Sequence, residues 1–164
     1  MVQVRIAGVA LDEAGQHVLL LKPIDRLPGA GRMLPVWIGA LEATSILIAI
    51  EGAEAPRPLA HDLMRALLET TEASVERVEV TRIEDGTYFA EITLATPHGV
   101  RTVDARPSDS IALAARTGAP IWISDEVMDA AGVPDPMTDE VDTEERVDEF
   151  KRFLNDVDPD DFRG

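Results

Sequence analysis

The feature that most constrains this chain is a tripeptide, Glu84-Asp85-Gly86, set between two runs in which apolar and polar residues alternate, Val75–Ile83 and Thr87–Thr96. Asp-Gly readily adopts the pair of left-handed conformations that a tight two-residue hairpin turn requires, so the two runs are expected to be antiparallel neighbours. Thr96-Pro97-His98-Gly99 turns the chain again into a third strand, Val100–Ala105. Antiparallel pairing is therefore built into the middle of the sequence.

The same logic applies at the N-terminus. Residues 2–10 alternate Val2, Val4 and Ile6 with Gln3 and Arg5, and Asp12-Glu13-Ala14-Gly15 leads into His17–Leu21, which predicts an opening hairpin. Residues 23–33 carry Pro23, Pro28, Gly29 and Gly31 and cannot be regular; Arg26 and Arg32 give this loop a basic character. A strand, Leu34–Ile38, then precedes a helix over Glu42–Glu51 that Gly52 closes. Leu59, Leu63 and Leu67 recur at four-residue spacing and predict an amphipathic helix over Pro58–Glu69. A third helix opens at Pro107 and ends at Gly118, strand Ile121–Ile123 follows, and a short helix runs from the N-cap candidate Ser124 to about Gly132. Helices and hairpins interleave without regular βαβ alternation. The expected class is α+β, a largely antiparallel sheet of hairpins packed with three to four helices.

A chain of 164 residues supports one core, so residues 1–132 are expected to form a single domain. Residues 133–142 read as an acidic linker containing Pro134 and Pro136. Val147, Phe150 and Leu154 mark a C-terminal amphipathic helix capped by Thr143, and residues 155–164 are expected to fray. The net charge is −16, and residues 124–164 hold 15 of the 31 acids but 4 of the 15 bases, so −11 of it lies there. That balance argues against a long basic groove for nucleic acid. The absence of cysteine excludes disulfides, thiolate metal sites and a cysteine nucleophile. No leader of basic and apolar residues precedes Val2 and no apolar run approaches the ~20 residues of a membrane span, so a cytoplasmic protein without membrane contact is expected.

The common nucleotide-binding, zinc-protease and serine-hydrolase fingerprints are missing. Both tryptophans instead sit in one repeated pattern, Pro35-Val36-Trp37-Ile38 and Pro120-Ile121-Trp122-Ile123, each followed by a helix with an acidic first turn. As structure, these are strands that begin at a proline and bury a tryptophan. As a site, they would bring Glu42 and Asp125 or Glu126 towards one cleft. His61 and Asp62 are neighbours in the first turn of a helix, where Asp62 also suits helix capping. Arg106-Pro107-Ser108-Asp109-Ser110 joins a cation, hydroxyls and a carboxylate at another helix start. A nuclease needs carboxylates for divalent metal, a base for water and a cation for the developing phosphorane charge, and Glu42, Asp104, Asp109, His61 and Arg106 are residues of those types.

Three stretches, Leu34-Pro-Val-Trp-Ile-Gly-Ala-Leu-Glu-Ala43, Arg57-Pro-Leu-Ala-His-Asp-Leu63 and Asp104-Ala-Arg-Pro-Ser-Asp-Ser-Ile-Ala-Leu113, together with Pro120-Ile-Trp-Ile123, resemble the bifunctional nuclease family over roughly residues 1–132. The resemblance implies hydrolysis of phosphodiester bonds in DNA and RNA by a small α+β domain that self-associates as a homodimer or higher homo-oligomer. The expected catalytic residues are the polar ones inside the shared motifs, Glu42, His61, Asp62 and Asp109, with Arg106 and Ser108 binding substrate. Mg²⁺ or Mn²⁺ is expected at Glu42, Asp104 and Asp109, and no organic cofactor. Two other readings stand beside this one. The first is a non-catalytic regulatory or protein-interaction module with an acidic tail, and the second is a binder of small anions or nucleotides at the Arg106–Asp109 helix start.

Overall fold

The computed structural model describes residues 1–25, 31–135 and 152. The opening hairpin pairs β1 (Val2–Leu11) with β2 (His17–Pro23), and β3 (Arg32–Ile38) lies antiparallel on the other side of β2. Two helices follow, α1 (Ala40–Glu51) and α2 (Ala60–Thr70). Next comes the central meander, β4 (Ser74–Glu84), β5 (Thr87–Thr96) and β6 (Gly99–Ala105). Asp85 at φ 49° and Gly86 at φ 76° are both left-handed, as the Asp-Gly turn requires, and Glu84 pairs with Thr87. The chain ends its described part with α3 (Pro107–Thr117), β7 (Ile121–Ile123), α4 (Asp125–Ala131) and β8 (Val133–Pro134).

Among the described residues, all eight strands form one sheet in the order β6-β5-β4-β7-β1-β2-β3-β8, antiparallel throughout except where β4 and β7 run parallel. The fold is α+β, as the hairpin signals predict. The sheet is curled rather than flat. Helix α4 touches both β3 and β4, and the Tyr88 hydroxyl of β5 reaches the Pro35 carbonyl of β3 at 3.4 Å. Val4, Leu19, Leu34, Val78 and Ile123 of five strands, with Ile46 of α1 and Ile111 of α3, are buried in the core. Burial pushes the Tyr88 phenol far above its ordinary range, as expected for a hydroxyl held in this interior.

Three expectations change. Val133 and Pro134 are not linker: they pair with Met33 and Arg32 as an edge strand, where a proline's missing N–H is harmless. The two tryptophan strands are not neighbours. β1 and β2 separate them, and Ile38 ends at the Leu11–His17 turn whereas Ile123 pairs with Val2 at the other end of β1, ~30 Å away at the rise of a strand. Asp125 accordingly pairs with the N-terminal ammonium at 2.7 Å, far from Glu42. In α2, finally, the leucine stripe faces outward: Leu63 and Leu67 are 52% and 56% exposed, while His61 is the buried residue. The predicted C-terminal helix with Val147, Phe150 and Leu154, the linker from residue 136 and Arg26 lie outside the described residues. No described helix is long and apolar enough to cross a membrane.

Candidate active site

Helices α1, α2 and α3 begin near one another because α3 packs against both α1 and α2. Their polar residues join into one row of hydrogen bonds. Arg106, the residue just before α3, donates from Nη2 to Glu42 Oε1 at 3.0 Å and from Nε to Asp109 Oδ2 at 2.9 Å. The other Asp109 oxygen lies 2.9 Å from His61 Nε2, and His61 Nδ1 lies 2.6 Å from Ser45 Oγ. Arg116 donates to that hydroxyl at 3.0 Å, to the Ser45 carbonyl at 3.2 Å and to Asp62 Oδ1 at 2.7 Å. Because Arg116 can only donate, Ser45 keeps its single hydrogen for His61 Nδ1. In the uncharged ring, Nε2 then carries the hydrogen that Asp109 accepts.

Exposure grades along the row. The Arg106 side chain is 58% exposed, Asp109 27%, His61 7% and Arg116 3%. The Arg106 end can therefore meet a solute, and the Arg116 end serves as the foundation. Burial alone would push the Asp109 carboxyl up, but the hydrogen bonds from Arg106 and His61 outweigh it and hold it below the ordinary carboxylate range. The Arg106 guanidinium is raised, first by its bond to Asp109 and also by Glu42. Asp62 is lowered by Arg116 and by the Leu59 N–H, which donates to it at 2.9 Å.

Gly39, just before α1, lets Glu42 fold back over its own helix start. A Cβ at position 39 would collide with the Glu42 carboxylate. Beside this point an open cleft of about 450 Å³ is lined by Gln16, His17, Trp37, Gly39, Ala40 and Arg106. The Trp37 indole is fixed at its floor by a 3.2 Å bond from Nε1 to the buried Asp12.

The structure thus brings Glu42, His61, Arg106 and Asp109 together, and it places Asp62 at the far, structural end of the row. Two expected residues stand apart. Asp104 is exposed on β6, opposite Glu91, and Ser108 is 1% exposed with a hydroxyl that has no partner, so it is not placed to meet a substrate. Sequence reasoning missed Ser45 and Arg116. The available signal was spacing: Ser45 follows Glu42 by three residues on α1, and Asp109, Ala112 and Arg116 share one face of α3.

The donors as arranged do not fit a divalent cation. Both Asp109 oxygens and one Glu42 oxygen are engaged by Arg106 or His61, so a cation would have to replace the guanidinium between them. Among the described residues no three His, Asp or Glu are grouped to hold a metal ion.

The bifunctional nuclease domain model matches residues 20–136, a span that contains the whole row and most of the cleft lining. A Mycobacterium tuberculosis protein, described as uncharacterized, is 38% identical over 99% of this chain and 99% of its own. Bifunctional nuclease 1 of Oryza sativa subsp. japonica is 26% identical over 69% of this chain and 34% of its own, and bifunctional nuclease 1 of Arabidopsis thaliana is 26% identical over 69% and 35%. The chain spans about a third of the length of these plant relatives.

Proposed function

Because this chain belongs to the bifunctional nuclease domain family, we propose that it hydrolyses phosphodiester bonds of DNA and RNA at the exposed end of the row, Glu42–Arg106–Asp109. The observation that carries this reading is the position of Arg106. It is a half-exposed cation on the wall of a cleft, oriented through two of its nitrogens by carboxylates.

In this mechanism a non-bridging oxygen of the phosphodiester takes the place of Glu42 on Nη2, so the guanidinium faces the charge that grows on the phosphoryl oxygens. Glu42, released beside the phosphorus, accepts a proton from the attacking water as the new P–O bond forms. The bond to the leaving sugar oxygen breaks, and that oxygen takes a proton from bulk water. Asp109 keeps Arg106 aimed through Nε, and His61, backed by Ser45 and Arg116, keeps Asp109 in place. Mg²⁺ or Mn²⁺, expected at Glu42, Asp104 and Asp109, does not fit this donor set, and the steps use the chain's own groups. The same reading has the protein act in the cytoplasm and as a homo-oligomer.

Purified protein incubated with single- and double-stranded DNA and RNA, with Mg²⁺, Mn²⁺ or EDTA, tests the proposal. Arg106→Gln should lower kcat/KM by about 10²–10³, the usual loss for one preorganised electrostatic donor. Wild-type rates in that variant would end the assignment of Arg106, and loss of all activity in EDTA would overturn the metal-free steps.

A further inference from the structure

We infer that the cleft takes one or two nucleotides at a time, so that short or single-stranded phosphodiesters, and not duplexes, are its preferred substrates. The inference rests on the nuclease reading above and adds to it the length of substrate that is recognised.

Two observations carry it. The first is capacity. A cleft of about 450 Å³ lies at the low end of the ~300–1,000 Å³ range typical of small-molecule pockets, which suits a nucleotide but not the width of a double helix. The second is charge. Among the described residues that line the cleft, Arg106 is the sole lysine or arginine. A duplex is held through many phosphates, each neutralised by a free cation. Here Lys22, Arg32, Arg65, Arg77 and Arg82 are each engaged by a carboxylate, and Arg116 is buried against Asp62. Arg5, Arg57 and Arg101, which form no ion pair among the described residues, do not line the cleft. Of the net charge of −16, −11 lies in residues 124–164, and residues 1–123, which hold the cleft, are still net negative, which disfavours any phosphate that has no specific partner. Extending the substrate beyond the cleft therefore adds repulsion faster than contacts.

Salt dependence reads the number of phosphates directly, because each neutralised phosphate contributes a slope of ~0.7–0.9 in log affinity against log salt. One contact predicts only about a threefold loss between about 50 and about 200 mM salt, whereas six to ten contacts predict about 10³–10⁵. The experiment measures binding of a fluorescent dinucleotide, a longer single strand and a duplex of the same sequence to the full chain by anisotropy across that range, and cleavage of all three in parallel. The expected result is a loss below tenfold for the dinucleotide and the single strand, with the duplex the weakest ligand and the slowest substrate, and loss of dinucleotide binding in Arg106→Gln. A loss above tenfold, a duplex that binds as well as the dinucleotide, or dinucleotide binding unchanged by Arg106→Gln would overturn the inference. Its failure is separable from that of the nuclease reading. Cleavage with a steep salt slope removes the substrate-length inference alone, and the expected binding pattern without cleavage of any substrate removes the hydrolysis alone.

Discussion

At the residue scale, the candidate site depends on where one carboxylate rests. Glu42 is the most easily displaced member of its row, since it holds Arg106 by a single oxygen and Asp109 holds the same guanidinium independently. Gly39 offers a way to move it without touching it. The backbone there, φ −70° and ψ 159°, is ordinary extended geometry that alanine adopts freely, yet the added methyl would strike the Glu42 carboxylate. A carboxylate at the end of a flexible side chain can swing aside. Gly39→Ala should therefore change stability by less than about 1 kcal/mol, as for a substitution at a compatible backbone position. If Glu42 is the base, the same variant should lose about 10²–10⁴ in kcat, the usual contribution of a positioned proton acceptor. Urea melts and initial rates measured side by side decide it: a variant as active as wild type would remove Glu42 from the chemistry. Glu42, His61, Asp62, Arg106 and Asp109 were visible in the sequence as helix-start residues inside the shared motifs, whereas Ser45 and Arg116, further along α1 and α3, were not. Their convergence was not, because no sequence period states which helix starts meet in space.

At the element scale, α2 shows why. Its four-residue leucine spacing predicts a stripe turned to the core, and the structure turns that stripe outward and buries His61 instead. The helix is held by its polar first turn: His61 bonds to Ser45 of α1 and Asp109 of α3, and Asp62 bonds to Arg116 of α3. Directed polar bonds with buried partners have overridden the hydrophobic periodicity, an outcome the pattern alone cannot encode. Turn chemistry was more legible, since Asp85-Gly86 set a local conformation that no distant contact had to supply. The echo of the two tryptophan strands was legible as strand but not as position, because strand order depends on pairing across the sheet. The tie between α2 and α3 is testable. Asp62→Asn leaves the Arg116 guanidinium, 3% exposed, without its counter-charge. Asp62 is itself 28% exposed and Arg116 keeps the Ser45 and Ala112 oxygens, so the expected cost is about 1.5–3 kcal/mol, the usual worth of a hydrogen bond to a charged group. The Asp62 carboxyl is held below its ordinary value, so its contribution is present above an unfolded pKa of ~3.9 and disappears as the pH falls through the lower folded value. Denaturant midpoints should therefore differ between wild type and variant at neutral pH and converge in acid. A gap that stays constant through the acid range would show that the ionised Asp62 is not what holds the helix.

At the scale of the whole molecule, the outward stripe of α2 lies next to the sheet's free edge. β6 is the terminal strand, with Val100 and Val103 57% and 44% exposed, and between it and α2 runs an apolar groove of about 380 Å³ lined by residues including Met64, Leu67, Ile92, Leu94 and Val103. An unpaired edge strand beside exposed apolar side chains is the kind of surface that proteins normally cover or charge. Here the edge carries only Arg101 and Asp104 as charges, although the chain as a whole holds 31 acids. A second copy is repelled by the net acidic charge of the chain and meets little repulsion at this edge, where one arginine balances one aspartate, and a two-fold contact would let the α2 ridge of each copy enter the groove of the other. We therefore expect the protein to sediment as a dimer or larger homo-oligomer at micromolar concentration. Leu67→Asp and Val103→Asp should each yield monomers, because a carboxylate buried in an apolar interface has no partner. Neither should lower the unfolding temperature of the isolated fold by much, since both side chains are already about half in solvent. A monomeric wild type, or variants that sediment as it does, would show that this face serves some other contact, and the site, which lies within one chain, would then work without a partner copy.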